Sequence, residues 1–502
     1  MSCQCEINAP QPDRSTAFEE WVVSIAVCVG IYEYYSSFFM MDSPSAHFRF
    51  LDLPTEIVLN IIEHEVFHED LENLALSSKT VFALAKPART NHLHWKREFS
   101  TFTVGDVHLC KSENEVREWI VPRKHHPVHA LRRLLLEKDA AADYCRVLKM
   151  GGVDPTGYMS GIHHSHLSHE ARTITRDLYS QLQTFIDAQV FGKITHTEYW
   201  IDLQLEGKYE LSYAAALVSL HNIEILELIN CSEFVQEELL VHISVMKNTH
   251  RRLRRVGLFG DHHQCGETLA VLAKFAEIPS VRMICGLHVF GTCSEDWRWP
   301  SDSFRSSIEE MHFECSTIDA SLLDKFLQST DALKTFYYDH DDFLQCPPEF
   351  APRRIIFNLG LNAQKTLESL TLVNLSGTGW CIDEDEGGFV VSLDDFLVLR
   401  HIAIDCSIFI DAKDTNDVFP LVDMLPASLE TLELYSPGKD TDLAALFRGL
   451  RDLREKRLPR LRAISLQSVW DVSQEIRSDC KVLGIQLAFV DGPERKWSHL
   501  SS

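Results

Sequence analysis

Between Leu367 and Leu372 the chain reads LESLTL, and the same apolar spacing, L-x-x-L-x-L, returns throughout the second half of the sequence. It stands as IEILEL from Ile223, LRRVGL from Leu253, IEEMHF from Ile308, LKTFYY from Leu333, LRHIAI from Leu399, LETLEL from Leu429, LRAISL from Leu461 and VLGIQL from Val482. A weaker copy, VRMICG, starts at Val281, and successive copies begin 21 to 34 residues apart. The last two apolar positions are two residues apart, the period of a strand with one buried face. Recurrence at such intervals marks an array in which each unit buries its apolar side only against its neighbours. An α/β domain with parallel strands would share much of this pattern and is the alternative.

If the array reading holds, Leu228, Leu258, Phe313, Leu372, Ile404, Leu434 and Leu466 should form one ladder in a single parallel sheet. Residues alternating with them then face the other way: Glu227, Phe259, Glu310, His312, Tyr337, Asp339, His401, Glu433 and Tyr435. Aromatic rings among carboxylates on that concave side suit a protein segment with some basic character. The alternative places the ligand on the loops. The intervening segments Ser232–Asn248, Gly266–Ile278 and Asp442–Lys456 show helical spacing. SENEVREWI, from Ser112, carries a capping box at Ser112 and Glu115 that predicts a short helix. VHALRRLLLEKD, from Val128, predicts another, and Tyr144–Met150 a strand.

Composition narrows the function classes. With 502 residues and 45% hydrophobic content the chain can bury a core. Its 48 Lys and Arg against 73 Asp and Glu leave a net charge of -25, which argues against nucleic acid and anionic membrane surfaces as partners. Fourteen cysteines are scattered without a C-x-x-C pair; only Cys3 and Cys5 are close. That usage fits a reducing compartment, cytoplasm or nucleus. The apolar run at residues 21–32 is too short to span a bilayer, and extending it to Met41 encloses Glu33. It reads as a docked hydrophobic arm, or as residues upstream of a start at Met40 or Met41.

Catalytic and metal signatures are weak. His163, His164, His166 and His169, and separately His262, His263 and Cys265, lack the spacing of a metal site and read as solvated loops. Asp383–Asp394 resembles a calcium loop but has Gly387 where a ligand oxygen is required. GTGW, from Gly377, lacks the lysine of a phosphate loop. No cofactor and no metal are expected.

The N-terminal region has its own signal. Pro54 suits the first turn of a helix, where its missing N–H has no intrahelical partner. Ile57, Ile61 and Ile62 follow, Asp70 is positioned to cap a segment running from Leu71 to Ala85, and Trp95 and Phe99 close a unit of three short helices. In order, Leu53, Pro54, Glu56, Ile57, Ile61, Asp70, Leu71, Leu74, Ser78, Lys79 and Phe82 match the pattern of an F-box, which residues 49–98 resemble. The resemblance implies that Leu53, Pro54, Ile57, Ile61, Leu71, Leu74 and Phe82 bind a Skp-type adaptor protein and, through it, a cullin.

Strand, helix, strand, helix at the observed interval resembles leucine-rich repeats. Only Cys231 stands at the expected Asn/Cys position; Cys315, Asn374 and Cys406 come one residue early. The expected fold is therefore α/β: an extension over 1–46, a small all-α F-box over 47–100, a helical linker with first irregular repeats over 101–215, a leucine-rich-repeat-like solenoid over 216–490 and a tail over 491–502. Together the resemblances imply a non-catalytic receptor of a Skp-cullin-F-box ubiquitin ligase that holds an unknown protein substrate. A repeat scaffold using the adaptor outside ubiquitin ligation is the second reading, and an α/β enzyme with a spatially assembled site the third.

Overall fold

A computed structural model describes residues 53–62, 66, 70–105, 108–111, 117–120, 126–151, 173–174, 176, 178, 210–229, 246–260, 268–291, 305–341, 350–374, 392–409, 419–435, 442–467 and 472–493. They divide into two compact units between Glu98 and Phe99.

The first unit holds α1 (Thr55–Asn60), α2 (Leu71–Leu76), α3 (Lys79–Leu84) and α4 (Lys86–Phe99), whose last residue belongs to the second unit. This is four helices rather than the expected three. The stretch from Leu71 to Ala85 breaks in two because Ser78 takes an extended backbone and its hydroxyl accepts from the Val81 amide at 3.3 Å, starting a new helix. Asp70 precedes α2 but makes no side-chain cap. Val58, Ile62, Leu71, Leu74, Ala75, Val81 and Ala85 form the core of this unit, with Leu53, Val66, Leu84 and Ala88 packed against it.

The second unit is built on one long sheet. Its strands are β1 (Thr101–Val104), β4 (Val147–Gly151), β5 (Ile225–Ile229), β6 (Arg255–Phe259), β7 (Met283–Leu287), β9 (Glu310–Ile318), β10 (Thr335–His340), β11 (Ser369–Asn374), β12 (His401–Asp405), β13 (Thr431–Tyr435), β14 (Ala463–Gln467) and β15 (Gln486–Val490). Each pairs with the next in that order, all parallel, and the short β8 (Phe290–Gly291) joins β9. A doubly wound α/β sheet reverses its strand order at a switch point; this sheet never does, so it grows as a solenoid. Helices α5 (Pro127–Leu136), α6 (Lys138–Tyr144), α7 (Glu210–Ser219), α8 (Thr268–Phe275), α9 (Ala320–Gln328), α10 (Pro352–Ala363), α11 (Leu421–Met424), α12 (Leu443–Leu446), α13 (Leu450–Arg457) and α14 (Gln474–Val482) lie between strands in the chain.

The expected ladder is present as one row. Leu228 pairs with Leu258, Leu372 with Ile404, and Ile404, Leu434 and Leu466 follow; Gly286 links Leu258 to Phe313, and Tyr338 links Phe313 to Leu372. Gly286 explains the weak copy at Val281: a methyl there would run into the Val289 side chain, which leaves no room beside the glycine. The sheet also begins earlier than the expected start at 216. Phe102 and Val104 in β1, and Leu148 and Met150 in β4, continue the two apolar rows, with Phe99 and Cys145 at the first position.

Three further expectations are corrected. Arg117–Ile120 is not helical but forms strand β3, antiparallel to β2 (His108–Lys111). Asp442–Lys456 is broken into α12 and α13 at Gly449, whose φ of 78° a helix interior does not allow. The final copy is out by two residues: helix α14 runs to Val482, so the strand starts later and puts Leu487 opposite Ile464 and Phe489 opposite Leu466. The helix expected at Ser232–Asn248 lies mostly outside the described residues, as do the run at 21–32, the two histidine groups, GTGW and most of the acidic loop before Asp394.

Charges at the second position of most copies alternate along the sheet, with the neighbouring Arg254 and Arg282 as the exception. Arg146 meets Glu224 at 3.5 Å, Arg282 meets Glu309 at 3.5 Å, Glu309 meets Lys334 at 2.6 Å and Glu430 meets Arg462 at 2.9 Å.

Two outcomes follow. Leu372→Ala, in the fully buried row, should lower the unfolding free energy by about 2–5 kcal/mol in urea titration. Buried His250 has its pKa lowered to about 4, chiefly by burial and against the opposing pull of the Leu217 backbone carbonyl. The unfolded chain takes up that proton near pH 6.5, so unfolding binds a proton between the two values. This contribution to stability is complete above pH 6.5 and falls as pH drops toward 4. In His250→Gln the urea midpoint should fall less steeply across that window.

Candidate functional site

In the helical unit the seven residues expected to bind an adaptor separate into two groups. Leu71 and Leu74, at i and i+3 on α2, point into the core and Ile61 is buried too; Leu53 and Ile57 are half-buried. The helices are too short to leave that stripe free, because a unit of this size must first bury its own interior. Pro54 and Phe82 remain exposed, the Phe82 ring lying 4.0 Å from the Arg89 guanidinium. Leu76, 76% exposed, and Leu93 are outward-facing apolar residues that the motif did not single out. On α2, Glu72 accepts from His92 and Lys96 of α4, each at 3.1 Å. The Lys96 bond, then that of His92, holds the Glu72 carboxyl below its ordinary pKa. These bonds orient α4 against α2 without closing off the apolar residues.

The face opposite the ladder carries the nine residues expected to hold substrate. One row on it runs Lys149, Glu227, Gly257, Cys285, His312, Tyr337, Thr371, Ala403, Glu433 and Ser465. Its middle is filled rather than open. Phe259, Cys285, Leu287 and Cys315 form a second small core, with Ile229 and Met283 against it. Glu227 is buried between Lys149 at 3.0 Å and Arg255 at 2.5 Å. The His312 ring stacks on Tyr337 with centroids 4.0 Å apart and bonds Glu314 at 2.8 Å.

A bulge shapes this region. Tyr338 pairs with Phe313 but His340 pairs with Ser316, so Glu314 and Cys315 together oppose Asp339. Cys315 takes a φ of 44°, and its thiol turns toward the Asp339 carboxylate at 3.8 Å. On the adjacent strand end His288, φ 55°, donates its amide to the Glu314 carbonyl and places its ring nitrogen 3.1 Å from the Cys315 carbonyl. Two non-glycine residues in the left-handed region side by side mark a backbone held by its surroundings. Burial, foremost, pushes the Cys285 thiol up to about 12, which keeps it protonated and unreactive. Among the described residues no cluster of three or more His, Cys, Asp or Glu side chains is arranged to hold a metal ion.

Of the nine, then, Glu227, Phe259, His312, Tyr337, Asp339 and Tyr435 are buried, Glu433 is half-buried, and Glu310 and His401 are exposed. Tyr435 donates to Glu433 at 2.5 Å, and burial, then that bond, raises its phenol pKa. His401 is tied to Thr431 at 2.8 Å. Most of these side chains are buried against one another, so the middle of this face is not a free gripping surface in this conformation. No helix among the described residues is long and apolar enough to cross a membrane.

No family model matches the chain, and no curated protein matches it. A solved structure, described as the crystal structure of the Rad7 and Elc1 complex in yeast, aligns over 95% of this chain and 98% of that chain, with 12% identity and a TM-score of 0.22.

Tyr435→Ala should act as a core truncation and lower unfolding free energy by about 3 kcal/mol. Glu310→Ala and His401→Ala should stay within about 0.5 kcal/mol of the parent in the same urea titration.

Proposed function

We propose that the chain is a non-catalytic substrate receptor of a Skp-cullin-F-box type ubiquitin ligase, working in the cytoplasm or nucleus. Residues 53–98 would dock a Skp-type adaptor, and through it a cullin, while the repeat array holds a protein substrate. The reaction belongs to other subunits. This chain acts by proximity, raising the effective concentration of substrate near a charged ubiquitin-conjugating enzyme.

One observation carries the reading: the ordered F-box-like residues from Leu53 to Phe82 fall on a short helical unit that turns Pro54, Leu76 and Phe82 outward, in one chain with a parallel β-α array. Apolar anchors of this kind dominate interface energy when a partner desolvates them. Buried Leu71 and Leu74 support the surface instead of forming it.

Capture of the full chain on immobilised Skp-type adaptor tests the proposal. Leu53→Ala with Pro54→Ala should weaken binding by about 2–4 kcal/mol. Leu76→Glu with Phe82→Glu, at exposed positions, should abolish capture while thermal unfolding stays close to the parent's. Undiminished capture of that folded variant would remove the docking assignment. Co-purification of a cullin separates the ligase subunit from a scaffold that uses the adaptor elsewhere.

A further inference from the structure

The ladder does not end as it runs. From Leu228 to Leu466 its side chains are 0–1% exposed, yet Phe489, the next member of the same row, is 41% exposed. Beside it, Leu487 is half-buried. Among the described residues strand β15 pairs only with β14. The Gln486 amide donates to the Arg462 carbonyl, and successive residues of a parallel strand present their backbone groups to opposite sides. The amides and carbonyls of Leu487 and Phe489 therefore point to the open edge, where no strand among the described residues meets them. Proteins commonly guard such edges with charges, and arrays close them with a polar cap. The five residues of β15, QLAFV, carry no charge.

Charge around the edge selects the partner. The chain is acidic, but residues 448–490 hold nine Lys and Arg against five Asp and Glu. On α14, Ile476 and Cys480 face the core, and Asp479 bonds Arg451 of α13 at 3.4 Å. The flank away from α13 carries Arg477 and Lys481, four residues apart and both exposed. Arg477 lies over the Phe489 ring at 5.0 Å, and among the described residues neither cation makes an ion pair. A second copy docked edge to edge would set these cations against their own twins. A carboxylate-bearing strand would meet them with the opposite sign.

We infer that the outer edge of β15 is a docking site for an extended acidic segment of a partner protein, added to the sheet as one more strand. Leu487 and Phe489 supply its backbone hydrogen bonds, the half-open Phe489 takes an apolar side chain, and Arg477 and Lys481 take its carboxylates. The site is independent of adaptor docking, since none of its residues lies in the helical unit.

The test is a selection of displayed random heptapeptides on the immobilised full chain, followed by fluorescence anisotropy with an enriched peptide. Enriched sequences should alternate apolar residues and hold at least two carboxylates. Arg477→Glu with Lys481→Glu should weaken the peptide at least tenfold, and Phe489→Lys should do the same, with thermal midpoints near the parent's. The double variant is decisive if Phe489→Lys fails to fold, because both of its positions are exposed. Absence of enrichment, enrichment without carboxylates, or equal binding by the double variant would overturn the site. So would a dimer in light scattering that Ala488→Glu disperses, because the occupant would then be a second copy.

Discussion

The amide of Glu368 donates to the carbonyl of Lys334, that of Arg400 to Glu368, that of Glu430 to Arg400 and that of Arg462 to Glu430. One such bond passes from each repeat to the next at the second position of the hexad, and the other features of the array depend on it. It fixes register, and register decides which face every side chain takes, since a slip of one residue would turn the whole apolar row to the opposite side. The side chains at that position reinforce the choice over most of the array: outside the neighbouring Arg254 and Arg282, the native register brings glutamate and basic residues together. Such exposed pairs add little stability. Their value lies in penalising misaligned neighbours of like sign.

With register fixed, both faces of the sheet are decided. One receives the aliphatic rows and packs under helices. The other receives whatever stands between them, and in β5 to β10 those residues include the large or paired Glu227, Phe259, His312 and Tyr337, with the small Gly257 and Cys285 beneath the Phe259 ring. Strands about 4.8 Å apart place such side chains in contact, so they close over the sheet and bury each other. Accessible chemistry on the described residues is displaced from the middle of that face to its less crowded part, where Glu310 and His401 lie, and to the end of the array. The bulge at Cys315 lies in the same crowded stretch: one extra residue on β9 places Glu314 and Cys315 together opposite Asp339.

Much of this was legible because leucine, isoleucine and phenylalanine mark the hexad plainly from Ile223 onward. Where the residue type changed, the pattern was hidden. Cys145 and Phe99 occupy the first position as well as any leucine, yet neither spells the hexad, so β1 and β4 fall in the stretch read as a helical linker with first irregular repeats rather than in the regular array. Ser112 and Glu115 have the spacing of a helix cap, but local propensity yielded to pairing, and Arg117–Ile120 became a strand. At the C-terminal end VLGIQL matched the template while α14 consumed its first residue. In the helical unit the matching motif named residues without saying which were core: Leu71 and Leu76 read alike in sequence, and only packing shows one inside and the other outside.

The stability of an array is shared between neighbours, and this gives its last member a particular character. Each interior repeat is held on two sides; among the described residues β15 is held on one, and Phe489 is accordingly more exposed than the rest of its row. A closed end would bury that ring and silence the site, whereas an open end keeps backbone donors, an apolar patch and two cations that make no ion pair among the described residues together at modest cost to a single repeat. Any strand that binds there supplies a further neighbour, so it stabilises the fold by mass action, by an amount that grows with the logarithm of its concentration relative to Kd. The same incompleteness that weakens the terminal repeat is what makes it receptive, and the basic flank of α14 restricts which strand can complete it.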